Sequence, residues 1–156
     1  MIEKTITFLD MHGNEATGLY RFHLNQDDAT QLELSYPGGL EEHFKKLISE
    51  RDIAEFYRLI RVFVLSSYGE LDPNGINFQK IRGGNKLYER FESSPAFSVL
   101  MEELLEVVEE KDPETGENSP SIPNLSAFLK GIAPMQHKKQ PKKGAVVGAV
   151  TPQTEG

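Results

Sequence analysis

The side chains that could carry chemistry in this sequence are histidines, serines, neighbouring acids and glycine-rich turns. Four histidines are present, and they fall in a predicted turn, strand, helix and tail without the spacing of metal ligands. They are His12, His23, His43 and His137. Scattered histidines of this kind are favoured as structural residues, so the sequence predicts no metal site and no cofactor.

The serines and the paired acids lie where helix ends explain them. Residues 66–69 and 93–95 lack the small-residue frame of a nucleophile elbow, and Ser94 has the pattern of a helix N-cap. Asp27 and Asp28 fall in the first turn of a predicted helix, where the helix dipole favours negative charge. A hydrolytic site at these acids is a distant alternative, and the chain is predicted not to be an enzyme.

Two glycine-rich segments are candidates for binding ions, but both fit turns better. Residues 37–40 open a predicted helix and offer backbone amides to an anion, yet no Walker lysine follows them. Residues 72–75 begin like a calcium loop and lack its bidentate glutamate. The chain also has no cysteine, which excludes disulfides, thiolate nucleophiles and sulfur-bound zinc or iron.

Charge is distributed unevenly along the chain. Residues 1–134 hold 13 lysines and arginines against 23 aspartates and glutamates, a net charge of −10, whereas residues 135–156 hold four lysines against one glutamate, a net charge of +3. An acidic body repels phosphate backbones, so no nucleic-acid partner is expected. No apolar segment reaches bilayer length and the N-terminus lacks a signal-peptide pattern, which predicts no membrane partner and a cytoplasmic location.

The N-terminal part of the sequence has the alternation of a β-hairpin. Apolar residues alternate over residues 4–9 and 19–24, and residues 12–15 supply the glycine and asparagine of a turn. Asn25 has the position of an N-cap for a short helix over residues 26–34. A hairpin that leads directly into helices is therefore expected.

Beyond this first helix, segments with helical periodicity continue up to residue 134, interrupted over residues 70–84 by a predicted loop around a short extended piece, residues 76–81. Helices are predicted from Leu40 and over residues 53–67, 85–91, 95–110 and 124–132, with a solvated loop over residues 111–123. We predict an α+β fold, mainly α, in which an N-terminal β-hairpin is followed by a compact bundle of about five helices and a disordered C-terminal tail. The domain spans residues 1–134, and the disordered basic tail spans residues 135–156.

The helix predicted over residues 95–110 has one acidic and one apolar face. The acidic face is either solvated or a docking face for a basic segment. The apolar face forms core on one interpretation, and on the other it is partly exposed as an adaptable partner-binding groove, with Met101 the residue most suited to repacking. Its members are Phe97, Leu100, Met101, Leu104, Leu105 and Val108, which we call the apolar stripe.

A series of short segments, in a fixed order and spacing, carries a family resemblance. They include Leu32-Glu33-Leu34-Ser35, Pro37-Gly38-Gly39-Leu40, Val64-Leu65-Ser66-Ser67-Tyr68-Gly69-Glu70, Ala96-Phe97 and Ala127-Phe128-Leu129-Lys130-Gly131-Ile132-Ala133-Pro134. Over most of residues 4–134 the chain resembles the tail assembly chaperones of bacteriophages with long noncontractile tails. Its loop over residues 111–123 is longer than in the family pattern.

The resemblance implies a role in building the phage tail. Such chaperones bind the tape measure protein in the host cytoplasm, keep it from aggregating, and leave when tail tube subunits assemble around it, so they are absent from the mature virion. The implied partners are the tape measure protein, the major tail tube protein through a longer frameshifted form, and further copies of the chain. The apolar stripe is then the candidate client-binding surface.

The basic tail leaves two hypotheses open. Pro141-Lys142-Lys143 can be encoded as CCA-AAA-AAG, which contains a slippery heptamer, so this chain would be the short form of a frameshifted pair; alternatively the tail only aids solubility. The main alternative function is another small morphogenesis protein, a tail completion or head-tail connector protein, which would remain in the virion.

Overall fold

The structure is a computed structural model that describes residues 1–36 and 38–133. The strands are β1 (Ile2–Leu9), β2 (Glu15–Phe22), β3 (Tyr68–Leu71), β4 (Phe78–Gln79), β5 (Ile81–Arg82), β6 (Asn85–Lys86), β7 (Val108–Lys111) and β8 (Asn118–Ser121). The helices are α1 (Gln26–Ser35), α2 (Leu40–Ser49), α3 (Ile53–Ser67), α4 (Leu87–Glu92), α5 (Pro95–Leu104) and α6 (Pro123–Ile132). The predicted disordered tail and frameshift site lie outside the described residues.

The main sheet is antiparallel, with strand order β1-β2-β3-β4. β1 pairs with β2 along its whole length, from Ile2 opposite Phe22 to Leu9 opposite Glu15. The turn between them contains Gly13 with a φ of 82°, a conformation that glycine adopts without strain. The predicted N-terminal β-hairpin is therefore confirmed.

The sheet continues into β3 and β4 through a close approach at Gly69. A β-carbon on this residue would lie 2.5 Å from the carbonyl oxygen of Gln79 and 2.5 Å from the ring of Phe78. Separations this short are repulsive, so the backbone of β4 could not sit where it does beside any larger residue. Gly69 thus permits the pairing that extends the sheet.

Aromatic side chains join the sheet to the helices. Phe22 at the end of β2 is fully buried, and its ring centroid lies 5.6 Å from that of Phe91 on α4 and 5.3 Å from that of Phe128 on α6. Both pairs are edge-to-face, an arrangement favoured by the charge distribution of aromatic rings. The core therefore lies between the sheet and the helices that follow it.

Backbone hydrogen bonds just after β2 fix the same junction. The amide of His23 donates to the carbonyl oxygen of Ser67 at 2.7 Å, and the amide of Leu24 donates to the carbonyl oxygen of Ile132 at 2.9 Å. These bonds satisfy carbonyls at the ends of α3 and α6, where no helical partner remains. The sheet and the two helix ends are thereby held together.

α3 coincides with the helix predicted over residues 53–67, and it lies in the core. The side chain of Asp52 accepts a hydrogen bond from the amide of Glu55 at 3.3 Å, which is the expected N-cap contact. The residues that α3 buries are Phe56, Leu59, Ile60, Phe63, Val64 and Ser67. Burial of large apolar side chains stabilises a fold by about 1.5 to 3 kcal/mol each, so α3 contributes strongly to stability.

The prediction of one helix over residues 95–110 is wrong in its C-terminal part. α5 ends at Leu104, and residues 108–111 form β7, which pairs with β8 in the segment predicted to be a loop. The amide of Gly116 donates to the carbonyl oxygen of Asp112 at 2.8 Å, with a φ of 75° at the glycine, so an Asp-Pro-Glu-Thr-Gly turn closes this hairpin. The β-branched Val107 and Val108 also favour a strand over a helix.

The structure has six helices in its described residues, one for each predicted helical segment, whereas the fold prediction gave the bundle about five. The helix predicted over residues 85–91 begins two residues later, because Asn85 and Lys86 pair with β5 as a short strand. The α+β class and the N-terminal hairpin are as predicted, whereas the eight strands add more β-structure than the helical periodicity indicates.

Candidate functional site

Four members of the apolar stripe are core residues. The exposed fraction is 4% for Phe97, 3% for Met101 and zero for Leu100 and Leu104. Of the other two members, Leu105 is half-buried at the C-cap of α5, and Val108 is half-buried on β7, beyond the helix. The structure thus brings four of the six together in the interior, and contact of a client with any of them stays a prediction.

The acidic face predicted beside the stripe is exposed, but part of it is held by neighbouring elements. Glu103 forms an ion pair with Lys4 on β1. The side-chain amide of Asn124 donates to the carbonyl oxygen of Glu103 at 3.0 Å and to a carboxylate oxygen of Glu106 at 2.8 Å. These contacts tie α5 to β1 and to the start of α6, so the glutamates have a structural role here.

α1 differs from the other long helices because it buries none of its residues. Its N-cap is the predicted one, since the side chain of Asn25 accepts a hydrogen bond from the amide of Asp28 at 3.3 Å. Leu32 is its only half-buried apolar residue of large size, and Leu34 is 77% exposed. α1 therefore lies on the surface of the molecule rather than in its core.

A groove of about 630 Å³ runs beside α1, between α1, the end of α3 and the β5–β6 hairpin. We call it the α1 groove. Its volume is within the range of ordinary binding clefts. Val62 is 38% exposed and Ile81 is 60% exposed, so apolar surface is open to solvent at its wall. Its apolar lining residues include Leu24, Leu32, Val62, Leu65, Ile81 and Tyr88.

Lys80 supplies the main polar contact inside the α1 groove. Its ammonium group donates a hydrogen bond to the carbonyl oxygen of Ser66 at 2.6 Å and lies 3.6 Å from the carboxylate of Asp28. Burial lowers the pKa of Lys80, and the nearby carboxylate of Asp28 opposes that shift. The positive charge at the C-terminal end of α3 also complements the helix dipole. Lys80 thus links α1 to α3 and sets the polar rim of the groove.

A second, smaller groove of about 270 Å³ lies on the other side of α1. Leu24 and Leu32 line both grooves, and the apolar lining of the smaller one also includes Leu40, Phe63, Leu129 and Ile132. α1 therefore lies between two apolar grooves, and its Leu32 side chain lines both of them. These grooves were not predicted from the sequence, although the weak amphipathic pattern of residues 26–35 indicates that this helix buries little.

The remaining candidate residues, the serines and Asp72, form hydrogen bonds within helix ends and a turn. The hydroxyl of Ser67 donates to the carbonyl oxygen of Phe63 at 2.8 Å, and the hydroxyl of Ser94 donates to that of Phe91 at 2.7 Å, so Ser94 occupies the N-cap position without making the cap hydrogen bond. Asp72 closes the β3–β4 turn, where hydrogen bonds, above all from the amide of Ile76, lower the pKa of its carboxyl. Residues 72–75 therefore form the predicted turn.

No metal-binding arrangement is found among residues 1–36 and 38–133, where no three histidines or acids come together. His23 packs edge-on against Phe78 with ring centroids 5.8 Å apart, and burial is the main cause that lowers its pKa. The Nδ1 atom of His23 is buried, and none of the described residues forms a hydrogen bond with it. The arrangement favours a neutral imidazole that packs and does not bind an ion.

A sequence profile of a known family matches most of this chain. The family is described as "Phage tail assembly chaperone", and the match covers residues 1–113. The chain belongs to this family. The match confirms the resemblance drawn from the sequence, and it spans the hairpin, the α1 groove and α5, ending in the turn before β8.

No curated protein and no solved structure matches the chaperone. Within the described segments, no helix combines the length and the apolar character needed to cross a lipid bilayer. As a tail assembly chaperone the protein is expected to act on other tail proteins, and the α1 groove is one concave, partly apolar surface that it offers.

Proposed function

We propose that this chaperone binds the tape measure protein in the host cytoplasm, keeps it soluble, helps to recruit tail tube subunits, and leaves before the virion is complete. The observation that carries the proposal is the family match over residues 1–113. It gives a role in tail assembly, and the tape measure protein is the long helical component whose apolar faces need cover before the tail exists.

We propose further that the client contacts the α1 groove. The apolar lining, open at Val62 and Ile81, suits the apolar face of an amphipathic helix. The domain around it carries a net charge of −10 over residues 1–134, which keeps a protein with exposed apolar surface in solution and favours client segments flanked by lysine or arginine.

Co-expression with the tape measure protein tests the client assignment. The expected result is that the tape measure protein is recovered in the soluble fraction only when this chaperone is present, and that the two proteins co-purify. A tape measure protein that is equally insoluble with and without the chaperone would contradict the proposed function as a whole.

Substitutions at the groove test the surface separately. Ile81→Glu and Val62→Glu place a charge at exposed apolar positions of the α1 groove and should reduce co-purification of the client. Ile76→Glu is the matched control, because Ile76 is 77% exposed and lies outside the groove lining. Circular dichroism should show all three variants folded. Equal client recovery by all three variants would exclude the α1 groove as the client-binding surface. It would leave the chaperone assignment unchanged.

Mass spectrometry of purified virions tests the departure of the chaperone. Tape measure and tail tube peptides should be detected while peptides of this chain are not. Detection of this chain in stoichiometric amount would favour the alternative of a tail completion or connector protein. We propose that tube subunits are recruited through a longer form made by a frameshift at residues 141–143. A frameshift at this position requires CCA as the codon for Pro141, so reading that codon tests it.

A further inference from the structure

The charged side chains that line the α1 groove are mainly basic, although the domain around them is acidic. Among the described residues, two lysines and one aspartate line it: Lys80, Lys86 and Asp28. Residues 1–134 as a whole carry a net charge of −10. The groove is therefore a locally basic and partly apolar surface, and its charge complements a carboxylate.

Lys80 is the more enclosed of these two lysines. Its ammonium group donates to the carbonyl oxygen of Ser66 at 2.6 Å, and its side chain is 32% exposed. The carboxylate of Asp28 lies 3.6 Å from it, whereas a charge-assisted hydrogen bond measures about 2.7 to 2.9 Å. An ammonium group has three hydrogens to donate, so Lys80 has donor capacity that its contacts with Ser66 and Asp28 do not use.

A client that covers the α1 groove would remove solvent from the exposed part of the Lys80 ammonium group. A purely apolar client surface supplies no acceptor in place of that solvent, and a buried charge without acceptors is strongly unfavourable. A client carboxylate would replace the solvent and pair with the ammonium group. Lys80 therefore disfavours clients that lack a carboxylate at this point.

We propose that the client segment in the α1 groove is an amphipathic helix with an aspartate or glutamate at the border of its apolar face, and that this carboxylate pairs with Lys80. The inference rests on the proposed function, because it takes the groove as the client-binding surface. The apolar residues of the helix contact the apolar lining, which includes Val62, Leu65 and Ile81. Basic residues at the ends of the segment then meet the acidic surface outside the groove.

The ion pair between Lys80 and Asp28 gives a way to separate this role from a purely structural one. If Lys80 acted only by holding α1 in place, loss of the charge on either partner would weaken client binding alike. If Lys80 binds a client carboxylate, Asp28 competes for the same ammonium group. Loss of the charge on Asp28 then leaves client binding unchanged or makes it stronger.

Co-purification of the co-expressed tape measure protein with variants of the full chain tests the pairing. Lys80→Met keeps the length of the side chain but removes its charge, and should reduce client recovery by at least about tenfold, because the client carboxylate is left without a partner. Asp28→Asn should leave recovery unchanged or raise it. The matched control is Lys46→Met, at an exposed lysine of α2 outside the groove lining, and it should recover client like the wild type. Circular dichroism should show all three variants folded.

The outcomes distinguish this inference from the proposed function. A wild-type chain that does not keep the client soluble would refute the proposed function, and this inference with it. Client recovery with Lys80→Met that equals or exceeds that of the wild type would overturn the carboxylate pairing alone, because an apolar client gains when a buried charge is removed. Equal losses with Lys80→Met and Asp28→Asn would also overturn it, in favour of a structural ion pair.

A double-mutant cycle tests the client carboxylate itself. Overlapping peptides of the tape measure protein, amidated at the C-terminus, are titrated against the full chain, and the tightest binder should carry an acid at the border of its apolar face. Replacement of that acid by its amide should raise the Kd at least about tenfold with the wild type and have little effect with Lys80→Met. An equal effect on both chains would overturn the pairing with Lys80, as would equally tight binding of a peptide without an acid.

Discussion

α1 and α5 are both helices of ten residues, yet they differ in how much of their surface is buried. α5 buries Ala96, Phe97, Leu100, Met101 and Leu104, whereas α1 buries nothing. α5 packs against β1 and α6 in the interior, and α1 lies between two open grooves. The contrast indicates that, of these two helices, the one with the stronger apolar pattern helps to hold the fold, while the weakly patterned one lines the accessible surface.

The largest expected effect on stability comes from truncating a buried side chain of α5. Leu104→Ala should lower the free energy of unfolding by about 2 to 5 kcal/mol, because Leu104 is fully buried and its removal leaves a cavity. Leu34→Ala on α1 is the control and should change stability by less than about 0.5 kcal/mol. Urea denaturation followed by circular dichroism measures the free energy of unfolding of both variants. An equal loss of stability in the two would contradict the contrast between the helices.

Amide hydrogen exchange should separate the two helices without any substitution. The amides of α1 should open locally, with a free energy at least about 2 kcal/mol below that of α5, because little apolar contact is lost when α1 detaches. The amides of α5 should exchange only when the whole domain unfolds. Equal protection in both helices would mean that α1 is held by contacts other than its few packed side chains.

A smaller effect is expected at the helix caps. Asn25→Ala removes the side-chain acceptor for the amide of Asp28 and should ease the opening of α1 by about 1 kcal/mol, seen as faster exchange confined to α1. Ser94→Ala is the comparison at α5, where the hydroxyl bonds to the carbonyl oxygen of Phe91 and caps nothing. It should leave exchange in α5 unchanged, and selective fraying of α5 would contradict the hydrogen bond described for Ser94.

The smallest effect is a pH dependence through His23. Burial lowers its pKa in the folded protein, so the unfolded chain binds a proton more readily. Stability is therefore lost as the pH falls through about 6.5, the ordinary value of the unfolded group, and the loss levels off below the folded pKa. Thermal unfolding between pH 5 and pH 7.5 should depend less on pH in His23→Gln than in His12→Gln, a control at an exposed turn residue. Identical pH profiles would exclude His23 as the cause.

Much of the fold could be predicted because its signals are local. The hairpin, the Asn25 and Asp52 caps and the buried face of α3 follow from the chemistry of a few adjacent residues. The β7–β8 hairpin was missed because the glutamate-rich residues after Leu104 continue a helical pattern, although the turn residues Asp112 and Gly116 marked it.

The candidate site could be predicted only in part. The apolar stripe was found as a pattern, but its exposure depends on what packs over it, and periodicity along one helix does not record that. The α1 groove is formed by residues far apart in the sequence, among them Leu32, Val62 and Ile81. Only the packing of the whole chain brings them together, so no local signal could have named them.

The hydrogen bond from Leu24 to Ile132 also has a consequence for the order of folding. It joins residues 108 positions apart, so the end of α6 must leave the ribosome before this junction can close. The β1–β2 hairpin, by contrast, needs only neighbouring residues and can form early. During synthesis the hairpin can therefore form well before the junction that holds it to α6 closes.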